Sequence, residues 1–260
     1  MIKLVNNQID PFRLEELRDH WAKTKLFKKF SHSYKVHQKG IRATNSEAFW
    51  NRLIREQIAS ASRNNITKQK IKIVSNYLIE RNGNILDVGV GYADLEKLLK
   101  KNKSKLKVYG IDISSYAVHQ ANKLEIGKFK KGSISKISFG KGYFDFVCAL
   151  DVLEHISPHQ TFNALKEINR VLKQNGEFIV SVPLNEGLEE MVKNRLNLNA
   201  HLRTYTSDIL RAELILSGFK ILSEKYLFAF KKLYFLKNFV IKLLPGFRKP
   251  NLIIIVARKT

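Results

Sequence analysis

From Asn84 onward, short β-type apolar runs alternate with stretches of helical period. Residues 85–88 read as a first strand, ending in a glycine turn and a helix over Asp94–Lys101. Val108–Ile113 predicts a second strand, and Ser115–Leu124 a helix. A short third strand holds Phe129. Phe144–Leu150 is the fourth and Glu177–Val182 the fifth, with a helix over Thr161–Leu172 between them. Ser207–Ser217 reads as a helix with Ser207 as its N-cap. Phe219–Glu224 and Leu252–Ala257 complete seven strands. Such alternation implies a mostly parallel sheet covered by helices on both faces. Ligands of such sheets bind at the carboxyl ends of the strands.

The chain before Asn84 has a different pattern. Leu14, Leu17, Trp21, Phe27 and Phe30 recur at loose helical spacing, and Phe49, Trp50, Leu53, Ile54 and Ile58 repeat it more clearly. Ile71, Val74, Leu78 and Ile79 form a further apolar face, while 31–45 is polar and basic and reads as a connection. We therefore expect a basic helical N-terminal extension over residues 1–70 and one α/β domain over 71–260.

Composition narrows the class. The 260 residues are 44% hydrophobic and 10% aromatic, which excludes wholesale disorder. A single cysteine excludes an internal disulfide and a cysteine-rich zinc site, and fits a reducing cytoplasm. The N-terminus has no apolar leader pattern, and no stretch of spanning length is free of charge, so neither a signal peptide nor a membrane span is expected. The formal net charge is +23, distributed as +10 over residues 1–82, +5 over 83–183 and +8 over 184–260. A basic surface draws anionic partners such as RNA or an anionic membrane. The abundance of Lys, Ile and Asn together is equally the mark of a compositional bias.

The stretch from Asn84 to Asp94, NILDVGVGYAD, carries the chemistry. Gly89 and Gly91 permit a sharp turn and a close approach of ligand to main chain. Asp112 ends the second strand, where an acid can accept both hydroxyls of a ribose. A dinucleotide site would place a glycine where Asp94 stands and an apolar residue where Asp87 stands. Carboxylates there repel a pyrophosphate and suit a nucleoside with a positive end.

The runs ILDVGVGYADLEKLL, YGIDIS, YFDFVCALDVLEHI and VLKQNGEFIVSVP resemble a class I S-adenosylmethionine-dependent methyltransferase, in that family's order and spacing. HLRTYT, from His201, and Gly218-Phe219 resemble its quinone- and glycan-modifying branches. The resemblance implies a Rossmann-like seven-stranded sheet and S-adenosyl-L-methionine as cofactor. It sets Gly89 and Gly91 beside the methionine part, with Asp87 organising that end. Asp112 would bind the ribose, Ile113 would pack on the adenine, Ser133 and Ile134 would flank its edge, and Leu150 would line the cleft near the sulfonium. Ala93 replaces a common third glycine, and Ser133 replaces a common aspartate.

Catalytic roles are less determined. His155 follows a strand end at the ligand-binding edge and suits a general base, or else holds the next loop by hydrogen bonds. His201 and Tyr205 fall in a lid where they would meet an acceptor. Asp145 reads as a structural acid and Cys148 as a core thiol. His155 and His159 are four apart, but Pro158 intervenes and no third ligand is placed, so no metal site is expected.

No nucleic-acid amino-methylation signature such as Asn-Pro-Pro-Tyr is present. The expected acceptor is a small or lipid-linked molecule methylated on oxygen or carbon. The alternatives are an RNA acceptor and a catalytically silent nucleoside-binding module. Residues 226–249 interleave aromatic and aliphatic side chains with lysines, the pattern of an interfacial helix on the inner membrane face or of a helix packed on protein.

Overall fold

The computed structural model describes residues 45–60, 64–194, 200–230, 237, 240 and 248–260. Its centre is one seven-stranded sheet. The strands are β1 (Gly83–Val88), β2 (Leu106–Asp112), β3 (Gly127–Lys131), β4 (Phe144–Leu150), β5 (Leu172–Pro183), β6 (Phe219–Leu227) and β7 (Leu252–Lys259). They lie in the order β3-β2-β1-β4-β5-β7-β6. The first five run parallel, and β7 is antiparallel to both its neighbours.

Parallel neighbours need crossover connections, and helices supply them. Before the sheet come α1 (Glu47–Ser60) and α2 (Asn65–Leu78). Within it come α3 (Asp94–Lys101), α4 (Ser115–Asn122), α5 (Pro158–Val171), α6 (Leu188–Lys193) and α7 (Ser207–Leu216). Successive strand residues face opposite sides, so the sheet carries two cores. On one side Leu86, Val147, Phe178 and Ile255 pack against Leu165 and Ile168 of α5 and Leu210 and Leu214 of α7. On the other, Ile85, Phe146, Ile179 and Ile254 pack against Val74 and Leu78 of α2 and Leu95 and Leu99 of α3. The central strands β4 and β7 are therefore almost continuously apolar, whereas the edge strands carry exposed lysines, Lys128 and Lys130 on β3 and Lys220 and Lys225 on β6. Charge at an edge discourages pairing with another chain.

The expected α/β class and strand count are present, with several local differences. Strand β5 begins at Leu172, five residues before the apolar run. Its polar start is concealed by an irregular register between Phe144 and Phe146. Asn175 has φ +61° there. The N-cap of α7 is Thr206, not Ser207: Thr206 is extended and its hydroxyl accepts from the Ile209 amide at 3.3 Å. Strand β6 continues to Leu227, so Tyr226 and Leu227 pair with Ile253 and Leu252 instead of starting an interfacial helix. Most of 226–249, and the extension before Asn45, lie outside the described residues. No helix among the described residues is long and apolar enough to cross a membrane.

Two polar devices fix the layers. Asp145 accepts the Asn84 amide at 2.8 Å and pairs with Lys173 at 2.7 Å, joining β1, β4 and β5 at their amino ends. This is the structural role expected of it. On the carboxyl side, the Arg203 guanidinium is sealed in the interior and reaches both Glu213 oxygens of α7 at 2.8 Å. The Tyr205 hydroxyl donates to the same carboxylate at 3.0 Å, and Arg203 also contacts Tyr205. Removing one member of such a buried pair strands the other charge. Glu213→Ala should lower the unfolding free energy in urea by about 3–5 kcal/mol. An Arg203→Met, Glu213→Leu double variant should lose much less.

Candidate functional site

The site begins where β1 ends. The Gly89 amide donates to the Ile111 carbonyl at 2.8 Å, tying the turn to β2. Gly89 has φ +83°, and a Cβ there would stand 2.6 Å from Val152 Cγ2. Gly91 has φ +52°, and its amide donates to Asp112 Oδ2 at 2.8 Å. Ala93 adopts φ +53°, a left-handed conformation that costs an L-residue roughly 1–2 kcal/mol. That accounts for a glycine being the less strained choice at this place.

Asp112 is the junction. Its second oxygen accepts the Ser114 amide at 2.7 Å, and Ser114 caps α4 by accepting from the Ala117 amide. The Ser114 hydroxyl donates to Asn51 Oδ1 at 2.7 Å, and the Tyr116 amide donates to the same oxygen. Asn51 belongs to α1, so this chain of bonds docks α1 against the sheet edge. A Lys131–Glu47 ion pair adds to it. Burial raises the Asp112 carboxyl, opposed by the backbone amides of Gly91, Ser114 and Ile113.

Asp87 is also buried, and its Oδ1 has no hydrogen-bond partner. Burial raises its carboxyl; the buried Glu96 side chain beside it opposes this, and the Asp112 charge adds to it. Beneath them, Cys148 is buried in the sheet and burial pushes its thiol well up, as fits an inert core thiol.

The opposite wall rises from the end of β4. Asp151 has φ +57° and accepts the Ser181 hydroxyl at 2.6 Å. Lys70 of α2 pairs with it directly. Burial alone would raise Asp151, but the Lys70 ammonium and the Ser181 hydroxyl hold it below its ordinary value. The 3₁₀ turn Leu153–His155 follows. His155 Nδ1 lies 3.1 Å from the Ala200 carbonyl, and burial draws its imidazole down to about 4, leaving the ring neutral. The His201 ring lies 4.9 Å from it, with Nδ1 2.8 Å from Glu186. The Trp50 ring of α1 meets His155 edge-on at 4.8 Å.

These parts enclose one cleft of about 940 Å³ at the carboxyl edge of the sheet. Asp87, Gly89, Gly91, Asp112, Ile113, Ser133, Ile134 and Leu150 all line it, as do His155 and His201. Tyr205 does not. Its side chain is fully buried beside Arg203 and Glu213, so the expected acceptor contact is replaced by a structural one. Phe49, Trp50 and Leu53 of α1 and Lys70 of α2 also line the cleft. The α1 aromatics were visible in sequence only as helical period. Lys70 gave no signal, since a buried lysine is legible only beside its acid.

Residues 86–180 match a family model described as a methyltransferase domain. A Bacillus subtilis protein named as a methyltransferase, YrhH, is 30% identical over 130 residues, which cover 48% of this chain and 71% of that protein. The chain belongs to the class I S-adenosylmethionine-dependent methyltransferases. Its cofactor is accordingly S-adenosyl-L-methionine. The methyltransferase also resembles a Thermotoga maritima demethylmenaquinone methyltransferase, at 29% identity over 115 residues, 44% of this chain. It spans about half of that relative's length (49%). Among solved structures, the [4+2]-cyclase SpnF shares the fold at a TM-score of 0.57 and 20% identity, covering 74% of this chain and 80% of that one.

The glycine turn gives a direct check of the geometry. Gly89→Ala places a methyl into Val152 and forces an unfavourable φ, and should cost at least about 1–2 kcal/mol by chemical denaturation. Adding Val152→Ala should relieve the collision but not the backbone strain, restoring only part of the loss.

Proposed function

We propose that this methyltransferase holds S-adenosyl-L-methionine along the β1–β2 edge of the cleft. The observation that carries the reading is the state of Asp112. An ionised carboxylate offers about four lone-pair sites. Two of those of Asp112 are taken by the Gly91 and Ser114 amides. The Ile113 amide also acts on this carboxylate, and its outward side remains for the ribose hydroxyls, in a group already locked in position. Asp87 supports the same orientation. Its buried oxygen without a partner suits the ammonium of a methionine tail, and such a cation would relieve the burial cost. Gly89 and Gly91 leave room for that tail to pass along the main chain. Ile113, Ser133 and Ile134 are the adenine contacts, and Leu150 faces the reacting end.

When bound, the cofactor supplies a sulfonium-activated methyl group. Its transfer is an in-line displacement in which positive charge disappears. Alignment and exclusion of water therefore matter more than strong acid catalysis, and positioning alone lowers such barriers by several kcal/mol (about 7–11 in the best-oriented cases). Helix α1 serves both ends by capping the cleft with Phe49, Trp50 and Leu53. His155 and His201 stand on the remaining side, where an acceptor enters. We assign that acceptor as a small or lipid-linked molecule methylated on oxygen or carbon. The lining mixes apolar and aromatic side chains with many polar and charged ones, and the aromatic wall of Phe49 and Trp50 beside His155 and His201 supports a compact organic molecule with a polar reacting group.

Calorimetric titration with S-adenosylhomocysteine should give micromolar binding to the intact chain. Asp112→Ala should weaken it by at least about 100-fold, the cost of two charge-assisted hydrogen bonds. Unchanged affinity in that variant would remove Asp112 from the ribose. No binding by the folded wild type would overturn the assignment of the cleft.

A further inference from the structure

We propose that Glu154, His155 and His201 form a site for a first-row divalent cation on the acceptor side of the cleft. A carboxylate oxygen of Glu154 and one ring nitrogen from each histidine lie within 4.8 Å of one another. Ligand atoms around a bound ion of this class are roughly 3–3.5 Å apart, given metal–ligand bonds of about 2.0–2.2 Å. Small side-chain rotations close that difference.

Glu154 supplies an independent observation. Its side chain is fully buried, and neither carboxyl oxygen has a hydrogen-bond partner. A buried polar group without a partner is costly, and an acid in that state calls for a cation or another donor. Asp151 and Glu186 stand close enough to act on Glu154 electrostatically. The nearby ammonium of Lys70 is already paired with Asp151.

The two imidazoles are arranged as ligands usually are. A carbonyl oxygen only accepts, so His155 Nδ1 carries its proton toward Ala200. Nδ1 of His201 likewise donates to Glu186. Each ring then keeps Nε2 as its lone-pair nitrogen. A metal-bound histidine characteristically donates its other ring nitrogen to a carboxylate or a main-chain carbonyl, which fixes both tautomer and orientation. Both forms occur here side by side. The sequence set aside His159 as a partner for His155 and predicted no metal site, whereas the structure brings His155 together with Glu154 and with His201 of the loop after α6.

Two imidazoles and one carboxylate leave coordination positions open, the donor set of reactive rather than structural sites. His155 and His201 both line the cleft. An acceptor bearing a hydroxyl group has an oxygen that can occupy such a position. The ion would lower that hydroxyl's pKa and fix its lone pair toward the methyl group. This use of the ion rests on the methyl-transfer reading, whereas binding of the ion rests on the three side chains alone.

The test uses the full chain, freed of metal with a chelator and titrated with Co²⁺. Visible absorption and calorimetry report the ion without any turnover. We expect one equivalent bound, with nitrogen-ligated Co²⁺ bands. Glu154→Gln and His201→Gln should each weaken binding at least 10-fold, and Glu186→Gln about 10- to 100-fold through loss of ring orientation. S-adenosylhomocysteine binding by the same Glu154→Gln protein shows that it is folded. Asp112→Ala should lose the nucleoside and keep the Co²⁺ spectrum, so the two readings fail separately. Absence of stoichiometric Co²⁺ binding, or binding unchanged by Glu154→Gln and His201→Gln, would overturn the proposal.

Discussion

The carboxylate of Asp112 is the point on which the cleft depends. It closes the end of β2 onto the glycine turn after β1 through Gly91, and onto the start of α4 through Ser114. Ser114 in turn holds Asn51, and Asn51 holds α1 over the opening. Three segments distant in sequence, α1, the glycine turn and the β2–α4 junction, thus meet through three polar side chains. The negative charge sits where main-chain N–H groups converge, which offsets part of the cost of its burial. The same arrangement holds the carboxylate in one position, so little ordering would remain to be done for the proposed ligand.

The two halves of the cleft solve opposite electrostatic problems. Along β1 and β2, Asp87 and Asp112 place two carboxyl groups in a buried position, which fits the proposed cationic, phosphate-free ligand. Beyond β4, Asp151 is compensated within the protein by Lys70, while Glu154 is not. A displacement at a sulfonium has little need of acid groups, yet it needs two reactants held in line. A parallel sheet serves this well, because both halves are built on the ends of adjacent strands and move as one body. The shared fold with a protein named as a cyclase makes the complementary point. The sheet supplies the place, and the side chains at its rim decide the reaction.

The β1–β2 half of the cleft was legible in the sequence as a place in the fold because its determinants are local. A strand, a turn with two glycines and a helix force Gly89 and Gly91 to the sheet edge, and Asp112 follows from the next strand's length. What was hidden depended on partners remote in sequence. Lys70 sits on a helix whose apolar period suggested a greasy face, and its burial makes sense only once Asp151, 81 positions away, is beside it. Tyr205 looked like a lid residue in a polar run, but Arg203 and Glu213 draw it into the interior. Glu154 read as one letter of a familiar block. Its isolation from any donor is a fact of packing, which no pattern of letters records.

One further feature bears on how such an enzyme diversifies. Strand β7 runs antiparallel between β5 and β6, so β6 ends and β7 begins at the edge of the sheet that carries the cleft. The base there is latched. The Asn251 amide donates to the Leu227 carbonyl, its side-chain oxygen accepts the Ala229 amide, and its carbonyl accepts the Leu184 amide. Chain inserted beyond that latch leaves the strand register untouched, and the closure entropy of a longer loop grows only logarithmically. The hairpin is therefore a socket. What the hairpin carries can change, at the same edge of the sheet as the cleft, without disturbing the fold.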